Sequence, residues 1–218
     1  MTDRTALRVQ KAGLLLVCLL PAASLIGRAF GIAGSSLGAN PVETLLHGFG
    51  KWGLNLLLVT LAITPLRHVL RAPRLLQYRR LVGLTAFCYV VLHFLTWLVL
   101  DQGLYVAGIA EDIARRPFIT IGFAAFLMLI PLAVTSTNKM MRRLGRRWTR
   151  LHRLVYPIAI LGAWHYYWQV KIDIREPLIY AGVLAVLLGW RLQRAYRGRN
   201  PASTGSPCKT ETRSEAAG

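Results

Sequence analysis

Residues 81–100 read LVGLTAFCYVVLHFLTWLVL, a run that contains no Lys, Arg, Asp or Glu. Arg79 and Arg80 precede this run, and Asp101 follows it. A helix needs about 20 apolar residues to cross the roughly 30 Å hydrocarbon core of a bilayer. The run therefore predicts a transmembrane helix, and the fold class depends on how many such runs the chain contains.

Five other segments have a similar apolar character. Of the six segments, taken in chain order, the fifth is the most polar and the sixth is the shortest. The whole chain of 218 residues is 54% hydrophobic with a mean hydropathy of +0.42, which is typical of a membrane protein. We predict an all-α integral membrane protein, a six-helix transmembrane bundle, whose spans cover residues 12–33, 45–65, 81–100, 118–137, 152–170 and 177–193.

The charged residues predict the orientation of this bundle. The chain has 27 Lys and Arg against 9 Asp and Glu, a net charge of +18. If the amino terminus is cytoplasmic, the cytoplasmic segments carry the whole of this excess and the outer segments net to zero. Short loops rich in Lys and Arg face the cytoplasm, so we predict a multi-pass protein of the bacterial inner membrane with both termini inside.

The same distribution argues against nucleic-acid binding, although a net charge of +18 would permit it. Basic clusters lie directly beside hydrophobic segments, where they can contact the anionic headgroups of the lipid bilayer.

The pattern of apolar and charged segments divides the chain into three regions. Residues 1–11 are a cytoplasmic N-terminal segment, 12–197 the transmembrane domain, and 198–218 a polar cytoplasmic tail predicted to be disordered.

Two histidines lie at matching depths within predicted spans. His93 is roughly 20 Å along its helix from Arg80, and His165 is roughly 18 Å beyond Arg153 on a helix that runs in the same direction. Two neutral imidazoles that face each other inside a helical bundle can form the axial pair of a haem iron. The alternative is that each is a buried histidine that donates to a neighbouring carbonyl. Ionisable groups within a membrane are usually functional, which favours ligation.

His152 lies at the cytoplasmic start of the same helix as His165, about 20 Å away along its axis. This distance could separate two stacked haems, so His152 is a candidate ligand of a second haem iron. The thirteen-residue step turns by about 220°, and a straight helix would not place both histidines on one face. At this level the third span offers Arg79 and Arg80, which we interpret as helix anchors. His68 is therefore a weak candidate for the partner, with a solvated loop residue as the alternative.

Several short motifs resemble one known family. The run from Arg116 to Gly122 reads RPFITIG, and the helix-five region carries Leu151-His152-Arg153-Leu154 and His165-Tyr166. Together with other elements, this order resembles the MsrQ (YedZ) family over about residues 10–195. That family comprises haem-binding membrane subunits of the periplasmic methionine-sulfoxide reductase system, within the ferric-reductase-like transmembrane superfamily. The other elements are Thr64-Pro65-Leu66-Arg67, His93, Pro131-Leu132-Ala133, Thr135-Ser136, Leu144-Gly145, Trp148, Tyr156 and Trp168.

The resemblance implies cofactors and partners that no residue pattern shows by itself. It implies haem b, one or two per chain, with His93, His152 and His165 as the haem-binding positions. It further implies FMN as an additional cofactor, the quinone pool as electron source, and a periplasmic molybdenum-cofactor methionine-sulfoxide reductase subunit as acceptor in a heterodimer. The chain departs from the four-His pattern of the NADPH oxidase relatives and carries no flavin and nicotinamide domain, so we expect its electrons to arrive from elsewhere.

The sequence thus favours a membrane electron-transfer subunit that passes electrons from quinone to a catalytic partner that repairs oxidised periplasmic proteins. Two alternatives stay open at this point. One is a self-sufficient transmembrane reductase of ferric iron or quinone. The other is a transporter or structural bundle without haem, in which the histidines are only buried polar residues.

Overall fold

A computed structural model of the chain describes residues 3–32, 36–170 and 173–199. In these three ranges the regular secondary structure is helical, and no strand occurs. The all-α prediction is therefore confirmed for the described residues. Apart from its first two positions, the tail predicted at 198–218 lies outside them.

The described residues form α-helices joined by short connections, with one 3₁₀ turn before α3 at Pro73–Leu75 and another before α8 at His152–Leu154. At its outer end α3 continues into a wider π-helical stretch, Thr96–Asp101. The helices are α1 (Asp3–Ala29), α2 (Pro41–Val69), α3 (Leu76–Leu95), α4 (Val106–Arg115), α5 (Pro117–Val134), α6 (Asn138–Leu144), α7 (Arg146–Leu151), α8 (Val155–Gln169) and α9 (Arg175–Arg199).

Five helical segments of the described chain are long and apolar enough to cross a bilayer. They correspond to five of the six predicted spans, and they make this a multi-pass membrane protein. The segments are Thr5–Ala29, Pro41–Val69, Pro73–Asp101, Pro117–Val134 and Arg175–Arg197.

The remaining predicted span, residues 152–170, is shorter than expected. Its α-helical part, α8, has 15 residues and is about 22 Å long. Two features shorten it: His152–Leu154 form a 3₁₀ turn, and the helix ends at Gln169. Pro157 falls in the first turn of α8, where its missing N–H is not needed, so the irregularity lies before the proline. The sixth crossing stays a prediction.

The second helix occupies the centre of the bundle. Pro41 is its first residue, and the Asn40 side chain caps the helix by accepting a hydrogen bond from the Glu43 N–H at 3.2 Å. It packs along α3 and also touches α1, α8 and α9, while α5 packs on α8. Leu61 of α2 and Ala159 of α8 are completely buried in the resulting core. Two helix pairs, α2 with α3 and α5 with α8, therefore frame the interior.

Tyr89 joins α1 to α3 through hydrogen bonds to the backbone. Its ring is 1% exposed, and its hydroxyl donates to the Cys18 carbonyl at 2.8 Å and accepts from the Ala22 N–H at 2.9 Å. These two groups lie one helical turn apart, so a regular helix would pair them with each other. Pro21, next to Ala22, has no N–H for the Val17 carbonyl four residues earlier, so the helical hydrogen bonds are interrupted beside these two groups. The hydroxyl thus satisfies α1 backbone groups where the helix is weakest.

Candidate functional site

His93 of α3 and His165 of α8 lie next to each other inside the bundle. Their ring centroids are 6.1 Å apart, and the ring planes cross at 77°. Both side chains are partly buried, and both line the same cavity. The depth argument from the sequence predicted that these two histidines would meet. The structure brings them together.

Each ring is oriented by a backbone carbonyl of a neighbouring helix. The Nδ1 atom of His93 is 2.9 Å from the Leu46 carbonyl of α2, and that of His165 is 2.7 Å from the Phe118 carbonyl of α5. A carbonyl oxygen only accepts, so each Nδ1 must carry the proton and donate it. This leaves the Nε2 lone pair of each neutral ring free to bind a metal, which is the usual tautomer of a metal-binding histidine.

Two glycines make these carbonyls accessible. Gly50 lies one turn after Leu46, and Gly122 lies one turn after Phe118. A Cβ atom on Gly50 would come within 2.9 Å of the His93 Nδ1, and one on Gly122 within 2.7 Å of the His165 Nδ1. Both distances are too short for a real contact. Each histidine therefore lies against a glycine of the helix whose carbonyl orients it.

The two histidines line a cavity of about 830 Å³. This volume lies within the roughly 300–1,000 Å³ range of small-molecule and cofactor sites. Most of the wall is apolar and aromatic, with Phe94 and Phe126 stacked at 4.7 Å. Charged groups also line the cavity, among them Lys51, whose Nζ is 2.6 Å from Glu176 Oε2. The site can thus enclose a large apolar group that carries polar substituents.

Comparison with known proteins identifies the family. The family described as "Ferric reductase like transmembrane component" matches residues 49–163. A protein of Xanthomonas axonopodis pv. citri (strain 306) is 52% identical over 164 residues, 75% of each chain. One of Azospira oryzae (strain ATCC BAA-33 / DSM 13638 / PS) is 51% identical over 198 residues, 90% of this chain and 84% of the relative. Both relatives are named protein-methionine-sulfoxide reductase heme-binding subunit MsrQ.

The chain belongs to the MsrQ family. The predicted resemblance is therefore confirmed, including the ferric-reductase-like transmembrane region. No solved structure matches the chain.

The pair at the cavity fits a haem iron. Two imidazoles bound to one iron through bonds of roughly 2 Å have ring centroids about 6 Å apart, close to the observed separation. Both Nε2 atoms are free to bind, and the wall combines apolar side chains with the charged Lys51 and Arg116. The apolar wall suits the flat macrocycle, and the polar part of the lining also contains Glu43, Asp101, Asp173 and Glu176. An MsrQ chain folded in this way has a suitable haem site between α3 and α8.

His152 lies apart from this cavity, in the 3₁₀ turn before α8. Its Nδ1 is 3.1 Å from the Trp148 carbonyl, its ring stacks on the Trp148 indole at 3.9 Å, and its Nε2 is 3.4 Å from the Ser136 hydroxyl. Arg79 acts on it electrostatically. Its predicted role as a haem ligand stays a prediction in this MsrQ chain.

His68 has other neighbours. Its Nε2 accepts a hydrogen bond from Arg67 Nε at 3.2 Å, and its ring lies 5.7 Å from that of Trp190. The role of His68 as a weak candidate for the second ligand of an inner haem stays a prediction.

Sequence reasoning missed the glycines and the carbonyls that orient the pair. A signal was present: each histidine follows its carbonyl partner by 47 residues, and each carbonyl residue is followed one turn later by a glycine. The two helix pairs thus repeat one local arrangement. The weak sequence similarity of the two halves conceals this repeat, since few positions besides the glycine and the histidine are identical in the two.

Proposed function

We propose that this chain is a haem b-containing electron-transfer subunit of a methionine-sulfoxide reductase system. The observation that carries the proposal is the pair of His93 and His165, whose rings lie 6.1 Å apart and line one cavity between membrane helices. Membership in the MsrQ family supports it, because the relatives are named as heme-binding subunits of such a reductase. The partner in this proposal is a periplasmic catalytic subunit that contains a molybdenum cofactor.

The residues of this chain orient and isolate the cofactor. The carbonyls of Leu46 and Phe118 fix the tautomer and direction of the two imidazoles, and the aromatic lining excludes water from the space between them. Haem, when bound there, supplies a reversible one-electron carrier. The reduction of the sulfoxide belongs to the partner.

In this proposal the quinone pool donates the electrons. His152, near the basic end of the bundle, holds a second haem iron or positions the electron arriving from the donor, with His68 as a weak candidate for a second ligand. FMN as a further cofactor rests on the family resemblance. The proposal therefore places two redox centres in the bundle, one near each end of α8.

The proposed orientation places the basic end in the cytoplasm of a bacterium and the Glu176 end in the periplasm. We expect reporter fusions after residues 75, 145 and 200 to report a cytoplasmic location. Fusions after residues 40, 108 and 174 are expected to report the periplasm, because the excess positive charge lies entirely in the former segments. An inverted pattern, or a cytoplasmic signal at 174, would contradict the proposed topology.

The functional proposal is tested on the purified chain in detergent. We expect a b-type haem spectrum that a reduced quinol converts to the ferrous form, followed by reoxidation when the catalytic subunit and methionine sulfoxide are both added. Omission of either one is the control. Absence of haem after purification would point instead to a structural or transport role, and rapid reduction of ferric iron without the partner would point to a self-sufficient reductase.

A further inference from the structure

Two arginines lie partly buried at the basic end of the bundle. Arg191 of α9 donates from Nη2 to the Leu61 carbonyl of α2 at 2.6 Å, and its guanidinium carbon is 5.0 Å from the ring centre of Tyr156. Arg79 of α3 is within electrostatic reach of Arg191, of Tyr156 and of His152. Side chains of α2, α3, α8 and α9 thus bring two positive charges together where helices meet.

Neither arginine has a carboxylate partner among the described residues. The ion pairs found there are Lys51 with Glu176, Arg115 with Glu111 and Arg116 with Asp112, all at the opposite end of the bundle. Of the acidic residues in the described ranges, Asp3 alone belongs to the basic end. Partly buried like charges without a counterion are costly, because each has lost water and gained repulsion.

Two polar atoms at this place are also unsatisfied. Arg191 Nε and Thr64 Oγ1 are buried and have no hydrogen-bond partner in the described part of the chain. Thr64 follows Leu61 by nearly one helical turn, so it lies on the side of α2 that Arg191 contacts. Guanidinium and hydroxyl groups can all donate, so the atoms that lack partners need an acceptor. A native fold rarely leaves such donors unpaired.

We propose that Arg79, Arg191 and Thr64 form a binding site for the phosphate group of an anionic ligand that enters from the basic side of the membrane. We call these three residues the arginine site. A phosphate offers several acceptor oxygens, and guanidinium groups bind it through paired hydrogen bonds. Basic pockets between transmembrane helices on the cytoplasmic side are known to hold lipid headgroups. The phosphate of a soluble ester is the second source of the same chemistry.

The neighbourhood of the site suggests what the ligand would do. Arg79 acts electrostatically on His152, so a bound phosphate would reduce the positive charge near that imidazole. The ligand would thus modify the end of the bundle at which electrons are proposed to arrive. The arginine site shares no residue with the pair of His93 and His165. If no phosphate binds there, the proposed function is therefore unaffected.

The test compares variants of the full chain purified in neutral detergent. Binding is measured by native mass spectrometry and by the shift in thermal stability on addition of phosphatidylglycerol, flavin mononucleotide or inorganic phosphate, with phosphatidylcholine as the neutral control. We expect one saturable site, and a loss of affinity of roughly tenfold or more in Arg79→Gln and Arg191→Gln. Arg142→Gln, which removes an exposed charge on α6, is the matched control and should bind like the parent.

Separate comparisons identify the ligand and check that the variants fold. Selective loss of phosphatidylglycerol binding identifies a lipid headgroup, while selective loss of flavin mononucleotide or inorganic phosphate identifies a soluble ligand. Thr64→Val keeps the shape of the side chain and serves if an arginine variant does not fold, which loss of the haem component assigned to His93 and His165 would reveal. If none of the probes binds above the neutral lipid, or if all variants bind like Arg142→Gln, the arginine site does not exist.

Discussion

Replacement of either His93 or His165 by Ala is expected to remove the same low-spin haem signal from the purified protein. The two rings lie 6.1 Å apart at one cavity, so each variant leaves one iron with a single imidazole. Loss of a group that only supports a metal ligand already weakens metal binding by roughly 10–100-fold, so loss of the ligand should lower haem content at least as much. Haem per chain and the optical spectrum before and after reduction measure this effect.

The control for this experiment is His68→Ala, since His68 contacts Arg67 and Trp190 and does not line the cavity. It should retain the low-spin haem component assigned to His93 and His165, even if His68 binds a second iron. His152→Ala should also spare this component while slowing reduction by quinol. Parental haem content and spectrum in both His93→Ala and His165→Ala would refute the axial pair.

We expect Gly122→Ala to reduce haem content almost as severely, although the substitution adds only a methyl group. The new Cβ would lie 2.7 Å from His165 Nδ1 and 2.9 Å from its Cε1, so the ring must move away from the Phe118 carbonyl. A displaced ring loses both its orientation and its fixed tautomer. The expected loss of haem affinity is roughly 10–100-fold, as for other partners that orient a metal-bound histidine.

Gly162→Ala is the matched control, because Gly162 lines the same cavity from α8 and its Cβ would meet only Leu54 Cδ1 at an ordinary 3.7 Å. Alanine also favours a helix more than glycine does, so this variant should fold at least as well as the parent. Gly50→Ala should behave like Gly122→Ala through His93. Normal haem binding in both would show that the rings do not depend on the glycines.

Much of the fold was predictable because hydropathy depends on residues close together in the sequence. The runs around residues 45–65 and 81–100 needed no tertiary information to be identified as helices. The segment 152–170 was harder, since its 3₁₀ start is a backbone feature that composition does not report. The helix α4 was not predicted either, because its ten residues lie in a loop that carries Glu111 and Asp112.

The site was only partly predictable for the same reason. The rise per residue along two helices that run in the same direction was enough to predict that His93 and His165 lie at the same depth. Which carbonyl orients each ring depends on how α2 and α5 pack beside them, and no local pattern contains that information. Arg79 was interpreted as an anchor because its distant neighbour, Arg191, lies on a helix more than a hundred residues later.

The hydroxyl of Tyr89 has a consequence for the order in which this protein assembles. Membrane helices can insert singly and associate afterwards. On insertion, α1 has no Tyr89 beside it, so the Cys18 carbonyl and the Ala22 N–H can satisfy only each other in the hydrocarbon. The Tyr89 hydroxyl, carried by α3, likewise lacks its final partners until the two helices meet. Association then adds two hydrogen bonds between the helices. The first helix therefore completes its native set of hydrogen bonds during assembly of the bundle and not at insertion.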